Sequence, residues 1–216
     1  MSNFSLVIGN KAYSSWSLRP WLLMKQAAID FAEIRVSLYE ATAKQNLLRH
    51  SPTGKVPVLR DGDLTIWDSL AICEYLAEKY PLKELWPADM ATRAHARAVS
   101  AEMHSGFGAL RSQMPMNVRR ELPGRARTAD ADAEIARIEA IWTGCRTRFG
   151  AAGPFLFGTF SIADAMYAPV VTRFRTYGVG LGGAAAQYAN AIYALPSMRE
   201  WIVAAHAETE VNPQYE

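Results

Sequence analysis

Two short runs carry the residue types that could act on a ligand. Tyr13-Ser14-Ser15-Trp16-Ser17-Leu18-Arg19 places three serine hydroxyls between an apolar strand candidate and an amphipathic helix candidate. An α/β sheet presents groups to ligands at such a junction, and the free N–H groups of a helix end favour negative charge there. The second run, HSPTGKVPVLRDGDLTIWDS from His50 to Ser69, reads as a loop, two short strands turning at Asp61-Gly62, and a helix opening at Asp68-Ser69. Pro57 interrupts an apolar run, where it removes a ladder donor and belongs at an edge or bulge. A strand edge that cannot pair fully, beside a helix end, is a cradle for an anionic peptide. On residue chemistry alone the serines also read as turn residues, Asp68-Ser69 as a helix cap and Lys55 as a solvated lysine.

The flanking elements must position these runs. Phe4 to Ile8 reads as a strand, and Ser17 to Ala28 as a helix capped by Ser17 with Pro20 in its first turn. Glu33 to Leu38 is a second strand, Ala41 to Arg49 a short helix, and Asp68 to Lys79 a longer one. The order β-α-β-α-β-β-α suits a thioredoxin-like half with helices covering a small mixed sheet. Pro81 to Pro87 is the expected linker, giving domains 1–80 and 88–216 on either side of 81–87. Beyond it the pattern is helical. Val99, Met103, Phe107, Leu110 and Met114 form one apolar stripe and Ile135, Ile138, Trp142 and Cys145 another, with a loop from Leu122 to Asp132 between them. Ser161 and Asp164 form a capping box, Pro169 should kink the helix that follows, and a last helix from Pro196 should bury Met198, Trp201 and Ile202.

Lys55-Val56-Pro57-Val58-Leu59, followed by Asp68-Ser69 and a helix to Tyr80, resembles the glutathione site of the cytosolic glutathione transferases. Tyr13 to Arg19 resembles their serine-type members, closest to zeta-like bacterial ones: Ser14 and Ser15 match the two serines and Arg19 the arginine, while Trp16 stands where the zeta class has cysteine. Phe160 to Asp164 resembles a helix start common in the family. The resemblance implies an α/β thioredoxin-like N-terminal domain and an all-α C-terminal domain. It implies a cis Pro57, a Val56 backbone paired with the cysteinyl part of glutathione, Asp68 and Ser69 on the γ-glutamyl end, and Lys55 near the glycyl carboxylate. A free thiol, with a pKa of about 8.5, is only a few per cent ionised at neutral pH. A serine hydroxyl is too weak a base to take the proton, but it can donate a hydrogen bond to the thiolate. Ser15 or Ser14 is the candidate for that role; Ser17, the third hydroxyl at the glutathione site, is better explained as a cap.

For a second substrate, Trp16, Phe107 and Tyr177 with the cations Arg111 and Arg173, and His104 nearby, suit a partly apolar electrophile carrying a carboxylate. His104 and Arg111 read equally as surface or interface residues. The resemblance implies glutathione S-transferase activity: attack of glutathione thiolate on a small electrophile, as in detoxification, in a homodimer. The alternatives are a glutathione-dependent maleyl-type cis-trans isomerase, to which Arg173-Phe174 is similar, and a non-catalytic binding protein of the same fold.

Composition narrows the classes. Half of the 216 residues are apolar and the formal charge is +2, with no basic stripe, so nucleic acid is not an expected partner. No run approaches the ~20 apolar residues of a membrane span, and MSNFSLVIGNKAYSS lacks a basic flank before an apolar core, so a soluble cytoplasmic protein away from membranes is the expectation. Cys73 and Cys145 lack CxxC or metal spacing, which supports neither a disulfide nor a metal site. With no cysteine between Tyr13 and Arg19, thiol-disulfide exchange is disfavoured.

Overall fold

The computed structural model describes residues 4–215; Met1 to Asn3 and Glu216, at the ends of the expected domains, lie outside them. The N-terminal domain runs β1 (Phe4–Ile8), α1 (Ser15–Gln26), β2 (Ala32–Arg35), α2 (Ala43–Leu48), β3 (Val58–Asp61), β4 (Leu64–Trp67) and α3 (Ser69–Lys79). Its sheet has the order β2-β1-β3-β4, with β1 parallel to β2 and antiparallel to β3, and β3 antiparallel to β4. The hairpin closes Asp61 against Leu64 across Gly62, whose φ of 58° explains a glycine there. Val56-Pro57 is cis and immediately precedes β3, so Pro57 removes no donor from the ladder.

The C-terminal domain is helical: α4 (Met90–Ser105), α5 (Gly108–Gln113), α6 (Ala129–Phe149), α7 (Ile162–Thr176), α8 (Gly183–Ala194) and α9 (Pro196–Ala207). Between the domains Leu85 and Trp86 are buried, and the Ile162 N–H donates to the Leu85 carbonyl. The α1 helix packs on the sheet side and on α3, α7 and α9, so it is buried on nearly every face. The main apolar core runs from Leu6 and Leu59 through Trp21 to Trp142 and Tyr167, with a smaller cluster of Val7, Val36, Leu47 and Val58 on the other face of the sheet.

Several expectations are corrected. The first helix begins at Ser15, so Ser17 is an interior residue and not its cap: its oxygen accepts from the Gly9 N–H at 3.1 Å and from Ser14 Oγ at 2.8 Å. Pro20 therefore lies beyond the first turn, and its ring leaves the Trp16 carbonyl without an i+4 donor. The stripe from Val99 to Met114 is split between α4 and α5 at Gly106-Phe107, where Phe107 has φ 61°. The break is capped from both sides. Arg111 donates to the Gly106 carbonyl at 2.9 Å and to that of Met103, while Glu134 accepts from the Ala109 and Leu110 N–H groups. Ile202 is only half-buried, whereas Met198 and Trp201 are fully buried. The α7 helix runs unbroken through Pro169, and the Ser161/Asp164 capping box is formed.

Candidate active site

Two neighbouring cavities meet along Trp16, Lys55 and Val56. One, of about 390 Å³, is lined by Ser14, Ser15, Tyr39, Arg111, Arg173 and Tyr215 among others. The other, of about 450 Å³, is bounded by Pro57, Trp67, Asp68 and Ser69 as well as the shared wall.

The loop between β1 and α1 brings Ser14 and Ser15 to the first cavity. Asn10 fixes it by accepting the Tyr13 and Ser14 N–H groups, and Glu208, just past α9, accepts the Lys11 and Ala12 N–H groups at 2.7 and 3.0 Å with its two carboxylate oxygens. The Tyr13 hydroxyl accepts from the Asn212 N–H at 3.1 Å. Ser14 gives its hydrogen to Ser17, whereas Ser15 Oγ accepts from Arg173 Nη2 at 3.3 Å. Arg173 also donates from Nε to the Met114 carbonyl at 2.9 Å.

Asp68 and Ser69 open α3 on the second cavity. Asp68 Oδ1 caps the helix through the Leu70 and Ala71 N–H groups, and Oδ2 faces His104 Nε2 at 3.2 Å. Ser69 Oγ accepts from Arg19 Nη1 at 3.3 Å. Trp16 lies between the guanidiniums of Arg19 and Arg111, 4.3 and 4.8 Å from its ring centre, and packs edge-on against His104. Burial, then the charges of Arg111 and Arg173, pushes the Arg19 pKa down to about 9; burial and Arg111 push Arg173 down to about 10. All remain cationic at neutral pH.

Both halves of this arrangement have counterparts among known proteins. Residues 13–79 match the family model "Glutathione S-transferase, N-terminal domain" and residues 125–204 match "Glutathione S-transferase, C-terminal domain". This chain belongs to the glutathione S-transferase family. Among curated members, a probable maleylacetoacetate isomerase of Caenorhabditis elegans is 40% identical over 93 residues, 43% of this chain and 42% of that protein. Glutathione S-transferase GstB of Escherichia coli K12 is 29% identical over 138 residues, 63% of this chain and 65% of that one. The match thus spans less than two thirds of either relative. A Burkholderia glutathione transferase homologue with bound glutathione superposes with a TM-score of 0.71 at 24% identity, covering 95% of this chain and 99% of that one, which is a likeness of fold.

Within this transferase fold the expected site residues divide. Ser14, Ser15, Trp16, Lys55, Val56, Arg111 and Arg173 come together at the first cavity, and Lys55, Val56, Pro57, Asp68 and Ser69 at the second. Ser17 reaches neither, being fully buried beneath Gly9 and Ser14. Phe107 turns into the core and the Tyr177 hydroxyl donates to the Pro115 carbonyl, and neither lines these two cavities. His104 serves Asp68 and Trp16 instead of lining the first cavity. Tyr39, Trp67, Tyr215 and Glu208 were not expected. Only Trp67, two residues before Ser69, carried a local signal by its place in the second run.

Burial, and then Arg19 and Arg111, hold the His104 pKa below its ordinary 6.5 despite Asp68. A depressed folded-state value means that its stabilising contribution is present above pH 6.5 and lost as pH falls through the lowered value. Chemical denaturation of wild type and His104→Gln across that range should show the wild type losing more stability on acidification. Parallel curves would contradict this.

Proposed function

We propose that this chain conjugates glutathione to a small electrophile. The observation that supports it is the shared Lys55–Val56 wall: a tripeptide anchored at Asp68-Ser69 and running along Val56 brings its thiol to the boundary of the cavity that holds Ser15. In this reading Asp68 takes the γ-glutamyl ammonium on lone pairs left free by the cap and His104, and Ser69 takes its carboxylate. Lys55 faces the glycyl carboxylate. The Ser15 hydroxyl donates to the thiolate, which forms an S–C bond as the leaving group departs with its electron pair.

Calorimetric titration with glutathione tests this. Wild type should bind, and Asp68→Ala should weaken binding roughly tenfold, about 1.4 kcal/mol. Absence of binding at millimolar glutathione would overturn the reading in favour of a non-catalytic, partner-binding protein.

Arg111 and Arg173 favour a second reading, isomerisation of a maleyl-type diacid. Both line the electrophile cavity, and no described carboxylate forms an ion pair with either. In that reaction the thiol adds, the bond rotates and the thiol leaves. Assays with maleyl acids and with neutral electrophiles separate the two readings. A homodimer is also proposed, with exposed Leu64 and Trp67 on edge strand β4 as the apolar support, as are a cytoplasmic, detoxifying role and a division into residues 1–80 and 88–216. Among the described residues no helix is long and apolar enough to cross a membrane.

A further inference from the structure

Ser15 and Ser69 stand in different cavities and have the same surroundings. Each hydroxyl oxygen accepts from one guanidinium, Ser15 from Arg173 and Ser69 from Arg19, both at 3.3 Å. Arginine has donors only, so each serine is fixed as an acceptor on that side and its own O–H hydrogen remains to be given. No described residue accepts either hydrogen, while both serines face a cavity. Ser14 is the contrast, because its hydrogen is already committed to Ser17.

Packing alone does not account for the two arginines. Arg19 is 1% exposed and Arg173 6%, and neither has an ion pair with a described carboxylate. Arg19 Nε has no hydrogen-bond partner among the described residues. A buried guanidinium so placed costs stability that a well-packed apolar side chain would not.

We propose that Arg173 and Arg19 are positioning residues that turn the hydroxyl hydrogens of Ser15 and Ser69 toward the ligand, Ser15 as donor to the glutathione thiolate and Ser69 as donor to a ligand carboxylate. The inference rests on the conjugation reading above and competes with the diacid one: in it Arg173 acts through Ser15, and of the two cavity cations only Arg111 is left to face the second substrate. A cation behind each hydroxyl also makes it a stronger donor.

The ultraviolet absorbance of the thiolate in the protein–glutathione complex, followed against pH, reads this directly. In wild type the bound thiol should titrate below the free value of about 8.5. Arg173→Met should raise that titration by about one unit, a tenfold loss of thiolate at a given pH, and leave glutathione affinity within about twofold. Turnover of chlorodinitrobenzene, which has no carboxylate, should fall by the same factor at neutral pH and recover at high pH. In a Ser15→Ala background Arg173→Met should add no further shift. Arg19→Met should weaken glutathione binding about tenfold without moving the thiol titration, and should add nothing to Ser69→Ala. If Arg173→Met does not fold, Arg173→Lys serves the same comparison, since it keeps the charge without the fork that reaches both Met114 and Ser15.

An unmoved thiol titration in a folded Arg173 variant would overturn the proposal, most plainly if only carboxylated electrophiles lost turnover, which would make Arg173 a substrate anchor. That failure leaves glutathione binding by the wild type intact. Failure of the wild type to bind glutathione would instead remove the functional reading and this inference with it.

Discussion

Ser15→Ala is expected to lower the rate of glutathione conjugation roughly 100-fold at neutral pH, the effect of removing a donor to a developing or bound anion. The Ser15 hydroxyl has an uncommitted hydrogen, a cation behind it and a place on the wall of the electrophile cavity. Ser14→Ala should cost less than about tenfold, because the Ser14 hydrogen is held by Ser17 and the variant loosens the loop without removing the donor. Steady-state kinetics of the two variants against one electrophile decide between them. If Ser14→Ala is the more damaging, the donor is Ser14 and the Ser14–Ser17 bond must break when glutathione binds.

The largest loss of stability is expected from Asp164→Ala. Asp164 is fully buried, and its carboxylate accepts from the Leu156 N–H at 3.0 Å, the Ser161 N–H at 2.8 Å and Ser161 Oγ at 3.1 Å. Removing it orphans two buried backbone donors, Ser161 at the start of α7 and Leu156 in the loop before it, at about 1–3 kcal/mol each, and leaves a void. A total of roughly 3–5 kcal/mol would lower the unfolding midpoint by about 10 °C or more. Burial outweighs the three donors and pushes the Asp164 pKa up to about 6 from 3.8. The sign follows from that elevation: the folded state holds the proton more tightly, so this contribution is greatest below pH 3.8 and is lost as pH rises through about 6. Asp164→Asn does not titrate. Wild type should therefore gain stability relative to it between pH 7 and pH 5, and a constant difference would refute the elevated value.

The parts of this architecture that are legible in the sequence are those fixed by near neighbours. Asp61-Gly62 marks the hairpin, Ser161 and Asp164 satisfy each other across one helical turn, and Pro196 opens α9 because its missing N–H is needed nowhere. The glutathione cradle is legible through resemblance, since Val56-Pro57 and Asp68-Ser69 are short contiguous motifs. What escapes is set by partners distant in sequence. Ser17 looks like a cap until Gly9 is folded back upon it. The stripe from Val99 to Met114 has helical spacing throughout, yet Arg111 and Glu134 satisfy the ends of two helices and make the break at Phe107 affordable. Arg19 has the look of a helix-surface cation, and its burial goes with its contacts to Ser69 on α3 and to the Trp16 ring. Tyr39, in the loop between β2 and α2, and Tyr215, beyond α9, reach the cavity from positions whose local sequence carries no mark of it.

The Glu208 carboxylate, which receives the N–H groups of Lys11 and Ala12 from 197 and 196 residues away, also bears on the order of events during biosynthesis. The loop bearing Ser14 and Ser15 leaves the ribosome early, and its sheet can assemble as soon as β4 has emerged. The contact that pins the loop, together with the Asn212 bond to the Tyr13 hydroxyl, cannot form until residues 208–212 have cleared the exit tunnel. A nascent or prematurely terminated chain can therefore possess the sheet and most of the helical domain while its serine loop still lacks this anchor.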